Sequence, residues 1–167
     1  MLKMIEKSID ALQEKFGFAT SMLIFPMVIV VIYEISMRYV FNAPTTWGFE
    51  ATTFLYGIHY MLGMGYTLKY NGHVKVDVFV SLMSQKKQTY VSLFTHIVFF
   101  LPVTILLTYA SIKFAWTSIL GLERSWTSWA PPIYPFKSLM ALGFFLLAVQ
   151  GISSICKDLQ KLKSLSE

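Results

Sequence analysis

The chain of 167 residues is too apolar for an ordinary soluble domain. Hydrophobic residues make up 55% of it, charged residues make up 14%, and its mean hydropathy is +0.56. Soluble domains carry about 25% charged residues. The net charge of +5 indicates membrane topology on so apolar a chain, rather than nucleic-acid binding. The single cysteine, Cys156, excludes an internal disulfide framework. Composition therefore predicts one integral membrane domain over residues 1–167.

Four apolar runs predict an all-α fold with four transmembrane helices, because one bilayer span takes about 20 residues. The runs cover residues 18–41, 47–69, 89–112 and 135–155. Pro102 is expected to kink the third helix. The first run is longer than a signal-peptide core of about 7–15 residues, and its leader mixes acidic and basic residues. We therefore expect it to remain as an uncleaved helix.

Two further segments are expected to lie along the membrane surface. In residues 1–16, apolar side chains recur at spacings of three and four, which predicts an amphipathic interfacial helix; they are Leu2, Ile5, Ile9, Leu12 and Phe16. In the segment 73–84, residues 73–80 alternate like a strand, but a lone strand edge beside lipid leaves backbone groups unpaired, and Val74, Val78 and Leu82 also fit one helix face. A short interfacial helix on the cytoplasmic side is therefore favoured there.

The distribution of lysine and arginine predicts that both termini are cytoplasmic. With both termini on one side, that side holds ten of these residues, and the opposite side holds only Arg38, Lys113, Arg124 and Lys137. Cytoplasmic loops carry the excess of basic residues. The outer side then includes a proline-rich loop over residues 114–134 and all four tryptophans, Trp47, Trp116, Trp126 and Trp129. These rings form either an ordinary aromatic belt or a ligand-binding aromatic box, and the belt is the simpler interpretation. As outer-face anchors they also offer a docking surface.

Three charged residues near the outer side could form a cluster. Glu34 and Arg38 are four residues apart on the first span, so they share a helix face, and Glu50 lies about one turn into the second span. One guanidinium could bridge both carboxylates and clamp the two helices together. A proton or cation site is the functional alternative, and it is less favoured because a carrier normally keeps a carboxylate unpaired.

The remaining candidates are two histidines and two glycines. His59 and His96 are expected at similar depths, where they could ligate a b-type haem; hydrogen bonds to neighbouring groups are the more common role of buried histidines. Gly57 and Gly63 would permit close helix packing, including packing against a larger membrane protein.

The order and spacing of several motifs resemble the small membrane subunit of tripartite ATP-independent periplasmic (TRAP) transporters. The motifs are Glu34-x-x-x-Arg38, then Asn42-x-Pro44-x-x-Trp47-x-x-Glu50, a glycine-containing second span, and His73-x-x-x-Asp77. Phe49 is a departure, because many members carry a second acidic residue at that position.

That resemblance implies a non-enzymatic role in a bacterial inner-membrane complex. In such systems a periplasmic binding protein captures an organic acid, often a C4-dicarboxylate or a sialic acid, and a large membrane subunit moves it inward with sodium. The small subunit is expected to scaffold the large one and to help receive the binding protein, with no cofactor of its own. Two alternatives from other classes remain open: a haem-b redox subunit using His59 and His96, and a small proton-coupled exporter using Glu34.

Overall fold

The computed structural model describes residues 2–73 and 78–165, and over these the chain is helical. The elements are α1 (Leu2–Ser21), α2 (Ile24–Tyr39), α3 (Gly48–Lys69), α4 (Gln85–Thr95), a π-helical turn (His96–Phe100), α5 (Leu101–Leu120) and α6 (Tyr134–Ser164). Within the described ranges, the isolated bridge between Arg124 and Pro132 is the β-type pairing present. The predicted all-helical fold is confirmed.

Helices α3 and α6 lie at the centre of the fold. Helix α2 packs on α3, α5 packs on α6, and α1 packs against both central helices. The central pair approaches closely at Gly143, where an added Cβ would lie 2.5 Å from the Met61 carbonyl oxygen. Helices α2 and α5 end, and α3 and α6 begin, at one end of the bundle, which we call the tryptophan end. The other end, which carries most of the lysines, we call the lysine end.

Several predicted helix boundaries shift in the structure. Helix α3 begins and ends within one residue of the predicted 47–69. The third predicted span, 89–112, lies inside a longer helical stretch over Gln85–Leu120, and α6 continues to Ser164 beyond the predicted 135–155. The predicted outer loop over 114–134 is correspondingly shorter, because its first turns belong to α5.

A π-helical turn stands where a proline kink was predicted. The Leu101 N–H bonds to the carbonyl oxygen of His96, five residues earlier. Pro102 follows directly, and its ring has no N–H and crowds the preceding turn. A wider turn relieves that crowding, and such π-bulges are a common way for a helix to accommodate an interruption.

The first predicted span, 18–41, is divided into two helices. Helix α1 ends at Ser21, α2 begins at Ile24, and a turn at 22–23 separates them. Pro26, in the first turn of α2, cannot donate a hydrogen bond to the carbonyl oxygen of Met22. That missing bond explains why the helix is broken at this point.

The N-terminal helix packs with its polar side inward. Gln13 and Thr20 are buried and Asp10 is half-buried, whereas Ile5 and Leu12 are exposed. For the surface helix predicted over 1–16, the apolar side is the side expected to contact the membrane. In the structure α1 extends to Ser21 and lies against α3 and α6, and its position at the membrane surface stays a prediction. Its apolar side can still face lipid, because lipid solvates apolar groups as well as a protein core does.

The segment predicted as a second surface helix, 73–84, has a different local structure. Residues 78–82 form turns, and α4 begins only at Gln85. Residues 74–77, with Asp77 among them, lie outside the described residues. The described part of this segment therefore forms turns where a short helix was predicted.

Three of the described helical stretches are long and apolar enough to cross a membrane: Lys3–Tyr39, Gln85–Leu120 and Tyr134–Ser164. Helix α3, predicted as the second of four spans, has 22 residues and is not among these three. It is less apolar because threonine, tyrosine, glycine and a histidine occupy many of its positions.

Candidate functional site

Glu34 is the centre of the polar contacts between α2 and the loop that follows it. Its carboxylate accepts a hydrogen bond from Arg38 at 2.6 Å. It also accepts bonds from the Thr45 hydroxyl and, at 3.3 Å, from the Thr45 N–H. Glu34 is itself buried, whereas the Arg38 side chain is 49% exposed. The carboxylate thereby ties the end of α2 to the loop over 40–47.

Gly48 allows the start of α3 to approach this carboxylate. An added Cβ would lie 2.6 Å from Glu34 Oε2 and 2.7 Å from Thr45 Oγ1. The Thr45 hydroxyl accepts a hydrogen bond from the Gly48 N–H at 3.0 Å while it donates to Glu34. Sequence reasoning missed both residues, although threonine is among the residue types that commonly bond to free N–H groups at a helix start.

Glu50 does not join the Glu34–Arg38 pair. It is buried and accepts a hydrogen bond from the hydroxyl of Thr127, in the loop between α5 and α6. Because successive helical residues are about 100° apart, Gly48 faces α2 while Glu50 points away from it. The structure therefore places two of the three predicted residues together and gives the third a separate partner.

The four tryptophans divide into a packed pair and two exposed rings. Trp47 stacks on Tyr33 with ring centroids 5.7 Å apart and lies 6.5 Å from Trp129. Trp116, on α5, is mostly exposed, and Trp126 is 99% exposed. Trp47 and Trp129 therefore join α3 to the α5–α6 loop, whereas Trp126 has its whole side chain available.

Contacts within the loop hold Trp126 in place. The loop folds back on itself through the Ser125 N–H to the Pro131 carbonyl and the Ile133 N–H to the Glu123 carbonyl, at 2.9 and 3.0 Å. The Glu123 carboxylate pairs with Lys137 at the start of α6, and this hydrogen bond holds the pKa of Glu123 below its usual range. The loop is thus a braced support for Trp126.

The two histidines contact different helices. His59 Nδ1 lies 2.9 Å from the Thr20 carbonyl oxygen of α1. His96 Nδ1 lies 3.0 Å from Asp158 Oδ2 of α6, and Ser92 bonds to the same carboxylate. Each ring therefore makes the hydrogen bonds of a structural histidine.

The predicted glycines and the exposed His73 have separate surroundings. Gly57 faces α6 inside the chain, where an added Cβ would lie 2.7 Å from the Phe136 ring. Its close packing is therefore with α6 of the same chain. At Gly63 the nearest atom to an added Cβ is Thr20 Cγ2, at 4.0 Å, so this position has room. His73 is exposed, and its motif partner falls in the part of the chain that is not described.

A polar network between α1 and α6 was not predicted. Asp10 Oδ1 accepts hydrogen bonds from Gln150 at 3.0 Å and Ser153 at 2.8 Å, and Asp10 Oδ2 pairs with Lys157 at 2.6 Å. Fully buried Gln13 donates to the Leu146 carbonyl oxygen at 2.7 Å. The available signal was the recurrence of polar or small residues along the other side of the same helix, at positions 6, 10, 13, 17 and 20.

The fold and these contacts define a helical membrane protein whose polar groups connect its own helices and loops. Residues 27–161 match the family described as the DctQ component of tripartite ATP-independent periplasmic transporters, and the chain belongs to this family. The sialic acid TRAP transporter permease protein SiaT of Haemophilus influenzae (strain 86-028NP) is 25% identical over 132 residues. That match covers 76% of this chain and 21% of the relative, so the chain spans about a fifth of the relative's length.

Proposed function

We propose that this chain is the small membrane subunit of a TRAP transporter, which scaffolds a separate large subunit and helps to dock a periplasmic binding protein. The complex would take up an organic acid with sodium. The family match over residues 27–161 carries the proposal. The relative supports it, since there the matching region is part of a polypeptide about five times longer. In this proposal the large subunit supplies the substrate pathway.

A scaffolding role agrees with the way the charged groups are satisfied. Glu34 is paired with Arg38 and Thr45, and Glu50 is bound by Thr127. Such local pairing stabilises loops and helix ends, whereas a transport site needs groups that are free to bind an ion or substrate. Substrate movement, sodium coupling and most substrate contacts then belong to the large subunit, and we propose no catalytic step or cofactor for this chain.

Docking of the binding protein is assigned to the tryptophan end. Trp126 is fully exposed on a loop braced by Glu123 and Lys137, and exposed tryptophans on rigid supports are typical anchors of protein interfaces. We propose four spans in the bacterial inner membrane with both termini cytoplasmic, which places this end in the periplasm. Helix α3, with 22 residues, rises about 33 Å and is long enough to cross the hydrocarbon core.

Cysteine labelling tests the orientation. Ser84→Cys, just before α4, should react with a membrane-impermeant maleimide only after the inner membrane is opened. Ser128→Cys, in the α5–α6 loop, should react in cells whose outer membrane alone is permeable. The native Cys156 is buried, so the unmodified chain should not be labelled and serves as the control for background labelling. Reversed labelling would place the tryptophan end in the cytoplasm and exclude the docking role.

The proposed substrate class is a sialic acid, because the relative's name contains it; C4-dicarboxylates are the alternative within the resemblance. Proteoliposomes with this chain, the large subunit and the binding protein should take up labelled substrate under an inward sodium gradient. Liposomes with this chain alone should not. Uptake by the chain alone would make it a carrier, and full uptake by the partners without it would contradict the scaffolding role.

A further inference from the structure

Several lysines at the lysine end are left without acidic partners. The carboxylates of Asp10 and Glu14 are already paired with other lysines. Among the described residues of this end, six exposed lysines form no ion pair: Lys3, Lys7, Lys15, Lys86, Lys87 and Lys161. At the tryptophan end, by contrast, Arg38 and Lys137 are both paired with carboxylates. The lysine end therefore carries positive charge that the described part of the chain does not neutralise.

The contact between α1 and α6 brings some of these lysines to one side. Asp10 bonds to Ser153 and Glu6 bonds to Gln160, so the two helices run in opposite directions. Each residue of a helix is turned about 100° from the one before it. In an antiparallel pair, the residues that follow Glu6 and Gln160 therefore turn to the same side of the contact. The exposed lysines on that side are Lys7 and Lys161, with Lys3 one turn from Lys7.

Polar contacts at this end mark the edge of the hydrocarbon core. Tryptophans are enriched at membrane boundaries, and a core of about 30 Å takes about 20 helical residues, so a core that begins at Trp116 ends near His96. His96 bonds to Asp158 of α6, at 3.0 Å. The adjacent Lys157 pairs with Asp10 of α1, at 2.6 Å. These contacts therefore lie at one level, where lipid tails give way to headgroups.

Lys7 and Lys161 lie at the depth of the headgroups. Lys7 is three residues before Asp10, and Lys161 is three residues after Asp158. Because the helices are antiparallel, both lysines are about 5 Å beyond the edge of the core. The headgroup layer is about 5–8 Å thick. Both positive charges are therefore placed where a phospholipid carries its phosphate.

We propose that the side of the α1–α6 contact with Lys3, Lys7 and Lys161 binds the phosphate groups of anionic phospholipids. Each lysine near an anionic membrane surface strengthens binding about fivefold. A lipid bound here contacts both helices and so stabilises α1 against α6. The binding needs no partner subunit, so the inference stands independently of the proposed function.

Lipid titration of the isolated chain tests this site. The unfolding temperature is measured in detergent micelles that contain rising fractions of phosphatidylglycerol. The double variant Lys7→Gln, Lys161→Gln should need at least tenfold more of this lipid for the same stabilisation, since two lysines together contribute about 25-fold. Each protein is compared with its own lipid-free value, which separates lipid binding from a change in basal stability. The double variant Lys7→Arg, Lys161→Arg keeps both charges and should respond as the unmodified chain does.

A second double variant is the matched control. Lys86 and Lys87 are exposed at the same end, but they precede His96 by ten and nine residues and so lie about 14 Å beyond the edge of the core. Charges farther away than a Debye length of about 10 Å are screened. The double variant Lys86→Gln, Lys87→Gln removes the same charge and should therefore change the lipid response less than about twofold.

Three results would overturn the proposal. An equal response of the two glutamine double variants would show a general charge effect or no effect of these lysines. Equal stabilisation by phosphatidylcholine would show that the anionic headgroup is not recognised. Equal stabilisation by soluble glycerol phosphate would identify a site for free phosphate rather than for a lipid.

Discussion

Polar contacts of different range hold two regions together: the core formed by α1, α3 and α6, and the link between α2 and the loop that follows it. In the core, Asp10 bonds to Ser153 and Gln13 bonds to Leu146, across 143 and 133 positions of sequence. At the tryptophan end, Glu34 bonds to Arg38 and Thr45, only 4 and 11 positions away. The comparison shows why the short-range contact was visible as a motif and the long-range contacts were not.

The largest effect is expected from Gly143→Ala in the core. The new Cβ would lie 2.5 Å from the Met61 carbonyl oxygen, and a backbone atom in a helix cannot move aside alone. Helices α3 and α6 must then separate, and such overpacking costs about 3 kcal/mol. Gly121→Ala is the control, since its Cβ meets nothing closer than 3.5 Å. Thermal unfolding in detergent measures both; equal unfolding temperatures would show that the helix pair is loosely packed.

Asp10→Ala should have the next largest effect. It removes the acceptor of Gln150 and Ser153 and the partner of Lys157, which leaves part-buried donors unpaired at a cost of about 2 kcal/mol. Lys7→Ala, at an exposed position on the same helix, should change stability little. Protease sensitivity of α1, measured beside chemical unfolding, would show its release from α6. If the protease sensitivity and the unfolding curve of Asp10→Ala are unchanged, apolar contacts alone hold this helix.

Arg38→Ala should cost less than either core variant, about 1 kcal/mol, because the guanidinium is half-exposed and exposed ion pairs contribute little. Glu34 keeps both bonds from Thr45. Chemical unfolding measures the free energy of unfolding of this variant and of Arg38→Lys. The lysine keeps the positive charge but not the guanidinium, so the two variants separate the contributions of charge and of geometry. A loss greater than that of Asp10→Ala would reverse the comparison between the two regions.

The smallest effect concerns the pH dependence of the α5–α6 loop. Since the pKa of folded Glu123 is lowered by its hydrogen bond to Lys137, its contribution to stability is present above the unfolded pKa, near 4.5. The contribution is lost as the pH falls through the folded value. The protection factors of the Ser125 and Ile133 amides, which correct for the slower intrinsic exchange in acid, should therefore fall as Glu123 is protonated. Glu123→Gln should exchange faster at neutral pH and show no such acid response; a retained response would assign it to another group.

Helix positions were largely predictable from the sequence, and helix partners were not. The position of α3 followed from its apolar run, and Glu34 and Arg38 were paired correctly because four residues in a helix fix their separation. The expected partnership of Arg38 with Glu50 depended on how α2 is rotated against α3. No local pattern reports that rotation.

The amphipathic pattern of α1 shows the same limit. Its period of three and four residues indicates a helix, and the structure has one over Leu2–Ser21. In water an apolar side must be buried, so the pattern would also fix the orientation of the helix. Next to lipid an apolar side can stay outside, and buried polar groups such as Gln13 and Asp10 need only find partners.

The sequence by itself determined the membrane class of this protein, the all-helical fold and the family, because composition, apolar run length and motif spacing are properties of the chain read locally. The tertiary structure decided which side of α1 packs inward, which loop binds Glu50 and which lysines share one side of the α1–α6 contact. Each of these depends on groups that lie far apart in sequence and meet only when the helices have packed.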